Sequence, residues 1–212
     1  LVGGLGIDNI LKLKLLERNE LEKSLDLKLG SRNLLITYHP VTLETDTSAH
    51  QLRELLTALN QQEDTKLIFT MPNSDTDGRI LFKMIEEFVN GNPCAKAFTS
   101  LGQLHYLSCV KHVDGVVGNS SSGLAEVHTF KKGTVNIGDR QMGRLKAKSV
   151  IDCEPTTVSI KNAIRQLYSP EFQASLTKVR NPYGSGGASE VIVDTLEEIP
   201  LEGILKKKFY SL

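Results

Sequence analysis

Nine consecutive residues, Gly118-Asn119-Ser120-Ser121-Ser122-Gly123-Leu124-Ala125-Glu126, hold the densest set of groups suited to gripping an anion. They follow the apolar run Val113-Asp114-Gly115-Val116-Val117 and precede a segment of helical pattern, which is the order strand, tight loop, helix. At such a junction the unpaired N–H groups of the helix's first turn and the positive end of its dipole face the loop and favour a bound phosphate. Ser120 and Ser121 add hydroxyl donors, and Gly123 lets an anion approach the backbone. One to two turns into the helix, the carboxylate of Glu126 suits the paired hydroxyls of a sugar. A diphosphate joined to a ribose uses all of these groups. Serine and glycine are also ordinary cap and turn residues, so this loop by itself leaves a purely structural cap open. It is neither a Walker loop, which ends in Gly-Lys-Ser/Thr, nor a GxGxxG dinucleotide signature.

Three more segments carry candidate groups. His39, between Tyr38 and Pro40, sits on a backbone restricted by the following proline and can donate to a phosphate oxygen. Asn73 comes first after Met71-Pro72. Arg140 and Arg144 bracket Gln141-Met142-Gly143, and the planar fork of arginine suits a diphosphate. His50, His105, His112 and His128 have weaker contexts and read as surface or helix residues. No GxSxG elbow and no cluster of metal-ligand spacing is present, so neither a serine hydrolase nor a metal site is indicated.

The elements that must position these groups follow from the hydrophobic pattern. Strands are expected over 33–38, 66–70, 95–98, 113–117, 134–137 and 149–151. Helices are expected over 10–29, from Asp46 or Thr47 to about 60, then over 76–89, 102–110, 124–130, 157–167, 170–179 and 188–196. Six strands alternating with helices predict an α/β fold, a Rossmann-like parallel sheet covered on both faces. Ligands of such sheets bind beyond the carboxyl ends of the strands. His39, Asn73, the serines and Arg140 all follow strands, so four remote segments should meet at one edge.

With 25 basic and 25 acidic residues among 212, the whole chain has no field that would draw nucleic acid or an anionic membrane, and any anion site must be local. No apolar run approaches the ~18 residues of a membrane span. Cys94, Cys109 and Cys153 are too few and too scattered for a disulfide framework, which points to a reducing compartment and to small apolar core residues. The start, Leu1-Val2-Gly3-Gly4-Leu5-Gly6-Ile7, reads like the middle of a longer chain entering a helix after a glycine-rich hinge.

In combination, several motifs resemble the hydrolysing UDP-N-acetylglucosamine 2-epimerases of sialic-acid synthesis. They are Gly3-Gly4-Leu5-Gly6-Ile7-Asp8-Asn9, Tyr38-His39-Pro40-Val41-Thr42, Met71-Pro72-Asn73, the serine loop, Val135-Asn136-Ile137-Gly138-Asp139-Arg140-Gln141-Met142-Gly143-Arg144 and Asn181-Pro182-Tyr183-Gly184. The resemblance spans the whole chain as that family's C-terminal half. It implies a GT-B arrangement of two Rossmann-like domains with the active site between them. Residues 1–9 become the interdomain hinge, 10–199 the UDP-binding domain, and 200–212 a tail returning toward the missing N-terminal domain.

The reaction implied converts UDP-GlcNAc and water to N-acetylmannosamine and UDP, by elimination to a glycal and hydration with inversion at C2. By the same resemblance His39, Ser120, Ser121 and Arg140 hold the diphosphate, with His39 stabilising the leaving group; Glu126 holds the ribose, Asn73 lies in the nucleotide pocket, and Gly123 and Arg144 complete the substrate contacts. Catalytic carboxylates belong to the missing domain, so this part alone is expected to be inactive. A cytoplasmic homo-oligomer without cofactor is implied. Lys131-Lys132-Gly133 and Gly186-Gly187 depart from the pattern, and His39-Pro40 in place of His-Arg-Arg-Glu separates the chain from non-hydrolysing epimerases with an allosteric UDP. The donor half of a GT-B glycosyltransferase and a non-enzymatic nucleotide-binding module remain alternatives, because fold does not fix chemistry.

Overall fold

The computed structural model describes residues 1–40, 47–72, 76–200 and 202–203. Its strands are β1 (Arg32–Thr37), β2 (Thr65–Thr70), β3 (Ala95–Phe98), β4 (Gly115–Gly118), β5 (Gly133–Ile137) and β6 (Val150–Cys153). The helices are α1 (Leu5–Lys12), α2 (Arg18–Leu25), α3 (Thr47–Asn60), α4 (Thr76–Asn90), α5 (Gly102–His112), α6 (Ser122–Ala125), α7 (Thr157–Leu167), α8 (Pro170–Leu176) and α9 (Ala188–Glu198). All six expected strands form.

β1 shows why the sheet is sandwiched. Leu34 and Ile36 enter one buried cluster and Leu35 the other, and all three are fully buried. A strand with no polar face must lie inside a sheet covered on both sides. One face carries α3, α4 and α7, whose Leu52, Leu55, Leu59, Leu81, Ile85, Ile160 and Ile164 recur at helical spacing. On the other, α2 and α5 supply Leu21, Leu25, Cys109 and Val110. The sheet order is β3-β2-β1-β4-β5-β6 with every neighbouring pair parallel. The connection reverses direction between β1 and β4, so their carboxyl ends diverge and leave a crevice there.

Two helices differ from expectation. Residues 10–29 do not form one helix: α1 ends at Lys12, Leu13 is extended, and α2 begins at Arg18. The alternation Lys12-Leu13-Lys14-Leu15 suits an extended segment that lays Leu13 and Leu15 against Leu107. Glu17 and Glu20 then exchange hydrogen bonds in a reciprocal cap that starts a new helix. The Leu16 N–H donates to Ser108 Oγ at 3.0 Å, so α5 takes up a donor freed by the break.

The expected helix over 124–130 is likewise split, into the single turn α6 and a 3₁₀ turn, Val127–Phe130. In a continuous α-helix the Ala125 carbonyl would accept from the Thr129 N–H. Here Asn181 Nδ2 donates to Ala125 O at 2.7 Å and to Thr129 Oγ1 at 3.0 Å, and the Thr129 N–H turns to Glu126 O. Remaining boundaries shift by a few residues; 170–179, for example, ends as a helix at Leu176.

Asn181 also accepts from the Tyr183 N–H, and the Tyr183 carbonyl accepts from the Gly4 N–H at 2.7 Å. Asp8 completes this tie. Its carboxylate accepts from the Ala188 N–H and from both the N–H and hydroxyl of Ser189, capping α9. Those bonds, from the Ser189 hydroxyl first, lower the Asp8 pKa below its ordinary 3.8 despite burial. A depressed carboxylate stabilises the fold fully above its unfolded pKa and loses that contribution as pH falls through the native value. Asp8→Ala should therefore lower the melting temperature at neutral pH, and its deficit against wild type should shrink below about pH 4; thermal unfolding followed at both ends of that range checks it.

Candidate functional site

At the crevice, β1 delivers His39 and β4 delivers the serine loop. Their approach is set at Gly118, paired with Thr37 in the sheet. Gly118 has φ +144°, and a Cβ there would stand 1.9 Å from the Thr37 carbonyl oxygen, so no residue with a side chain fits. The next residue, Asn119, is 1% exposed and joins three loops. Its Oδ1 accepts from the His39 N–H and its Nδ2 donates to the His39 carbonyl, both at 2.8 Å. Its own N–H donates to Thr37 O at 3.2 Å.

The Asn119 carbonyl receives the loop after β5. Gln141 Nε2 donates to it at 2.7 Å and an Arg140 guanidinium N–H at 3.1 Å. Arg140 is exposed, so its remaining donors face outward from this anchor. His39 is half-buried, and Ser120 and Ser121, also half-buried, follow Asn119 directly. Three of the four expected segments therefore converge at one rim. Asn73 lies outside the described residues. Arg144 is exposed further along the Arg140 loop, with no side-chain bond among the described residues.

Within the serine loop, the Ser122 N–H lies 3.4 Å from Ser120 Oγ, and the Gly123 and Leu124 N–H groups donate to the Ser120 and Ser121 carbonyls. The Ser121 hydroxyl has no partner among the described residues. α6 is one turn long, so its dipole is far weaker than the expected helix would supply. Gly123 is buried, and a Cβ on it would stand 2.7 Å from Thr134 Cγ2. Thr134 Oγ1 also donates to the Gly123 carbonyl at 2.8 Å, so the missing side chain lets α6 seat on β5.

Glu126 sits at the end of α6 beside a cavity of about 440 Å³. Thr70 at the end of β2, Met71 after it, Ser100 before α5 and Gln103 and Tyr106 within α5 line it. Ser122 Oγ donates to Glu126 Oε2 at 2.5 Å, and the Tyr106 hydroxyl donates to Ser122 Oγ at 2.8 Å. Burial pushes the Tyr106 phenol up to about 12, with Glu126 adding to the rise against the Ser122 and Thr37 hydrogen bonds. Sequence reading missed Tyr106 and Gln141 as parts of the site, and gave Asn119 and Ser122 no role of their own within the serine loop. Asn119 stood in the motif itself, and a buried amide flanked by Gly118 was its signal.

His128 lies in the 3₁₀ turn and is 1% exposed, with Nδ1 2.7 Å from Ser149 Oγ, and burial lowers its pKa. Of the cysteines only Cys109 is fully buried; all three are free thiols, and burial pushes Cys109 and Cys153 up to about 12. Among the described residues no helix is long and apolar enough to cross a membrane, and no cluster of three or more His, Cys, Asp or Glu residues could hold a metal.

The model of the UDP-N-acetylglucosamine 2-epimerase family matches residues 1–197. The chain belongs to that family. The GDP/UDP-N,N'-diacetylbacillosamine 2-epimerase (hydrolyzing) of Campylobacter jejuni is 37% identical over 213 residues, covering 100% of this chain and 55% of the relative. A polysialic acid biosynthesis protein of Escherichia coli is 36% identical over 186 residues, 86% of this chain and 46% of that protein. The chain thus spans about half the length of the relatives it matches. Among solved structures, the UDP-GlcNAc 2-epimerase of Neisseria meningitidis bound to UDP-GlcNAc superposes with a TM-score of 0.69 at 18% identity, over 94% of this chain and 54% of that one. That likeness shows the GT-B half-fold.

Asn119→Ala removes both hydrogen bonds between this side chain and the His39 backbone, so urea unfolding should show a loss of about 1–3 kcal/mol, the net worth of two hydrogen bonds. Gly118→Ala should cost more, because the obstacle is backbone.

Proposed function

We propose that this chain is the UDP-binding half of a hydrolysing UDP-N-acetylglucosamine 2-epimerase. The observation that carries the reading is the junction at Asn119, whose side chain holds the His39 backbone and whose carbonyl, directly before Ser120 and Ser121 in the chain, holds the Arg140 guanidinium at the β1–β4 crevice. These groups suit a diphosphate. Cleavage of the sugar–phosphate bond builds negative charge on the departing UDP, and fixed donors that respond to that charge favour the transition state over the bound substrate. Arg140 and the serines are assigned that role, with His39 as a further donor and Arg144 and Gly123 at the periphery. Glu126 lines the cavity after β2 and β3, which supports its assignment to the ribose; Asn73, assigned to the nucleotide pocket, lies outside the described residues.

Overall, water and the UDP-sugar become the 2-epimeric free sugar and UDP, through loss of UDP to a glycal and rehydration on the opposite face. The proton transfers at C2 belong to carboxylates of the preceding domain. In this reading 10–199 form the UDP-binding domain, the tail 200–212 lies, apart from 200 and 202–203, outside the described residues, and residues 1–9 are the interdomain hinge. The segment does contact the body through Gly4 and Asp8, which gives a hinge a fixed footing on this side. Three free thiols support a cytoplasmic enzyme; a homo-oligomer and a place in sialic-acid synthesis stay part of the proposal, the latter supported by the name of the Escherichia coli relative.

A second reading concerns the sugar alone. Identity of 37% along the whole chain to a relative named for N,N'-diacetylbacillosamine favours a sugar with two N-acetyl groups over GlcNAc. Product mass from the full-length protein separates the two, and absence of any transfer to an added acceptor separates both from a glycosyltransferase.

Calorimetric titration of the chain with UDP should show binding in the micromolar-to-millimolar range. Arg140→Ala should weaken it about 10- to 100-fold, the span of a charge-assisted hydrogen bond. No heat with UDP, or an Arg140→Ala variant of unchanged affinity, would contradict the assignment.

A further inference from the structure

Glu126 is held by one oxygen only. Its Oε2 accepts from Ser122, while Oε1 has no hydrogen bond among the described residues and lies 3.8 Å from where a Cβ on Gly6 would stand. Behind Ser122, the Tyr106 hydroxyl donates to the same Oγ. This fixes the direction of the whole chain of hydroxyls. A serine hydroxyl has one hydrogen and accepts through its lone pairs; with Tyr106 donating to it, its own proton is committed to Glu126. The phenol is kept neutral by burial, so it stays a donor at any working pH. A Cβ on Gly6 would meet Oε1 only in ordinary van der Waals contact, so nothing at Gly6 closes off that oxygen.

We infer that Ser122 and Tyr106 are positioning residues that aim Glu126 into the 440 Å³ cavity and make the site selective for ribose over 2′-deoxyribose. The inference rests on the reading that UDP occupies this rim. An unbranched glutamate side chain has several rotatable bonds, and holding one carboxylate oxygen in advance removes the ordering cost that the ligand would otherwise meet. The second oxygen is then offered at a fixed place to a vicinal pair of hydroxyls. A ligand lacking one of them leaves a carboxylate oxygen dehydrated and unpaired, which is how a polar site rejects a close analogue. Tyr106 also lines the cavity, but its hydroxyl is turned to Ser122, and both residues act on selectivity through Glu126.

The test compares UDP with 2′-deoxy-UDP by calorimetry on the chain and on its Ser122→Ala and Tyr106→Phe variants. The readout is the ratio of the two dissociation constants. Wild type should prefer UDP by about 10-fold or more, the scale of one charge-assisted hydrogen bond, and in each variant the ratio should fall toward one. General damage to the domain weakens both nucleotides alike and keeps the ratio, so a variant that binds UDP with the wild-type ratio overturns the inference. Wild type that binds both nucleotides equally overturns it as well, while leaving UDP binding intact. Wild type that binds neither sinks the functional reading itself. The use of two variants at different elements, α5 and α6, keeps the result decidable if one of them does not fold.

Discussion

One buried amide organises the rim. Asn119 closes a two-way hydrogen-bonded pair with the backbone of His39, and its own carbonyl anchors Gln141 and Arg140. A side-chain amide offers a donor and an acceptor in one plane, so it copies the pairing of a strand where the β1–β4 ladder has ended. The cost of leaving such groups unpaired in the interior is what holds the loops after β1, β4 and β5 together. Gly118 is the precondition, since only a residue without Cβ lets β4 pass so close to the Thr37 carbonyl.

A second amide, Asn181, acts on the far side of the serine loop. By taking the Ala125 carbonyl it stops α6 after a turn and sets Glu126 at the break. The same residue reaches the N-terminal segment through Tyr183 and Gly4. The His39–Arg140 rim and Glu126 are thus positioned by two different asparagines from distant parts of the chain. The long helix of a dinucleotide fold is replaced at this rim by a single turn, with the Arg140 guanidinium anchored on the Asn119 carbonyl beside it.

Much of the fold was legible in advance. Runs such as Leu34-Leu35-Ile36 and Leu67-Ile68-Phe69 are apolar on both faces and can only be interior strands, and Leu52, Leu55 and Leu59 mark one face of a helix. The candidate site was legible as a list of segments, because ligand groups in parallel sheets follow strands. What failed was continuity. A Leu-rich stretch over 10–29 carries enough helical spacing to hide the Lys-Leu alternation that interrupts it, and the split after Ala125 is imposed by a residue more than fifty positions away.

Sequence alone determined the class of fold, the six strands and the family, because local periodicity and short motifs are properties of neighbouring residues. Tertiary structure decided which loops touch and which oxygen points where. Ser122 sits in the serine loop and Tyr106 in a distant helix, and their link to Glu126 exists only after α5 packs beside β4. Hydrogen bonds fall away within a few tenths of an ångström, a precision that spacing in sequence does not carry and that close packing of the finished sheet supplies.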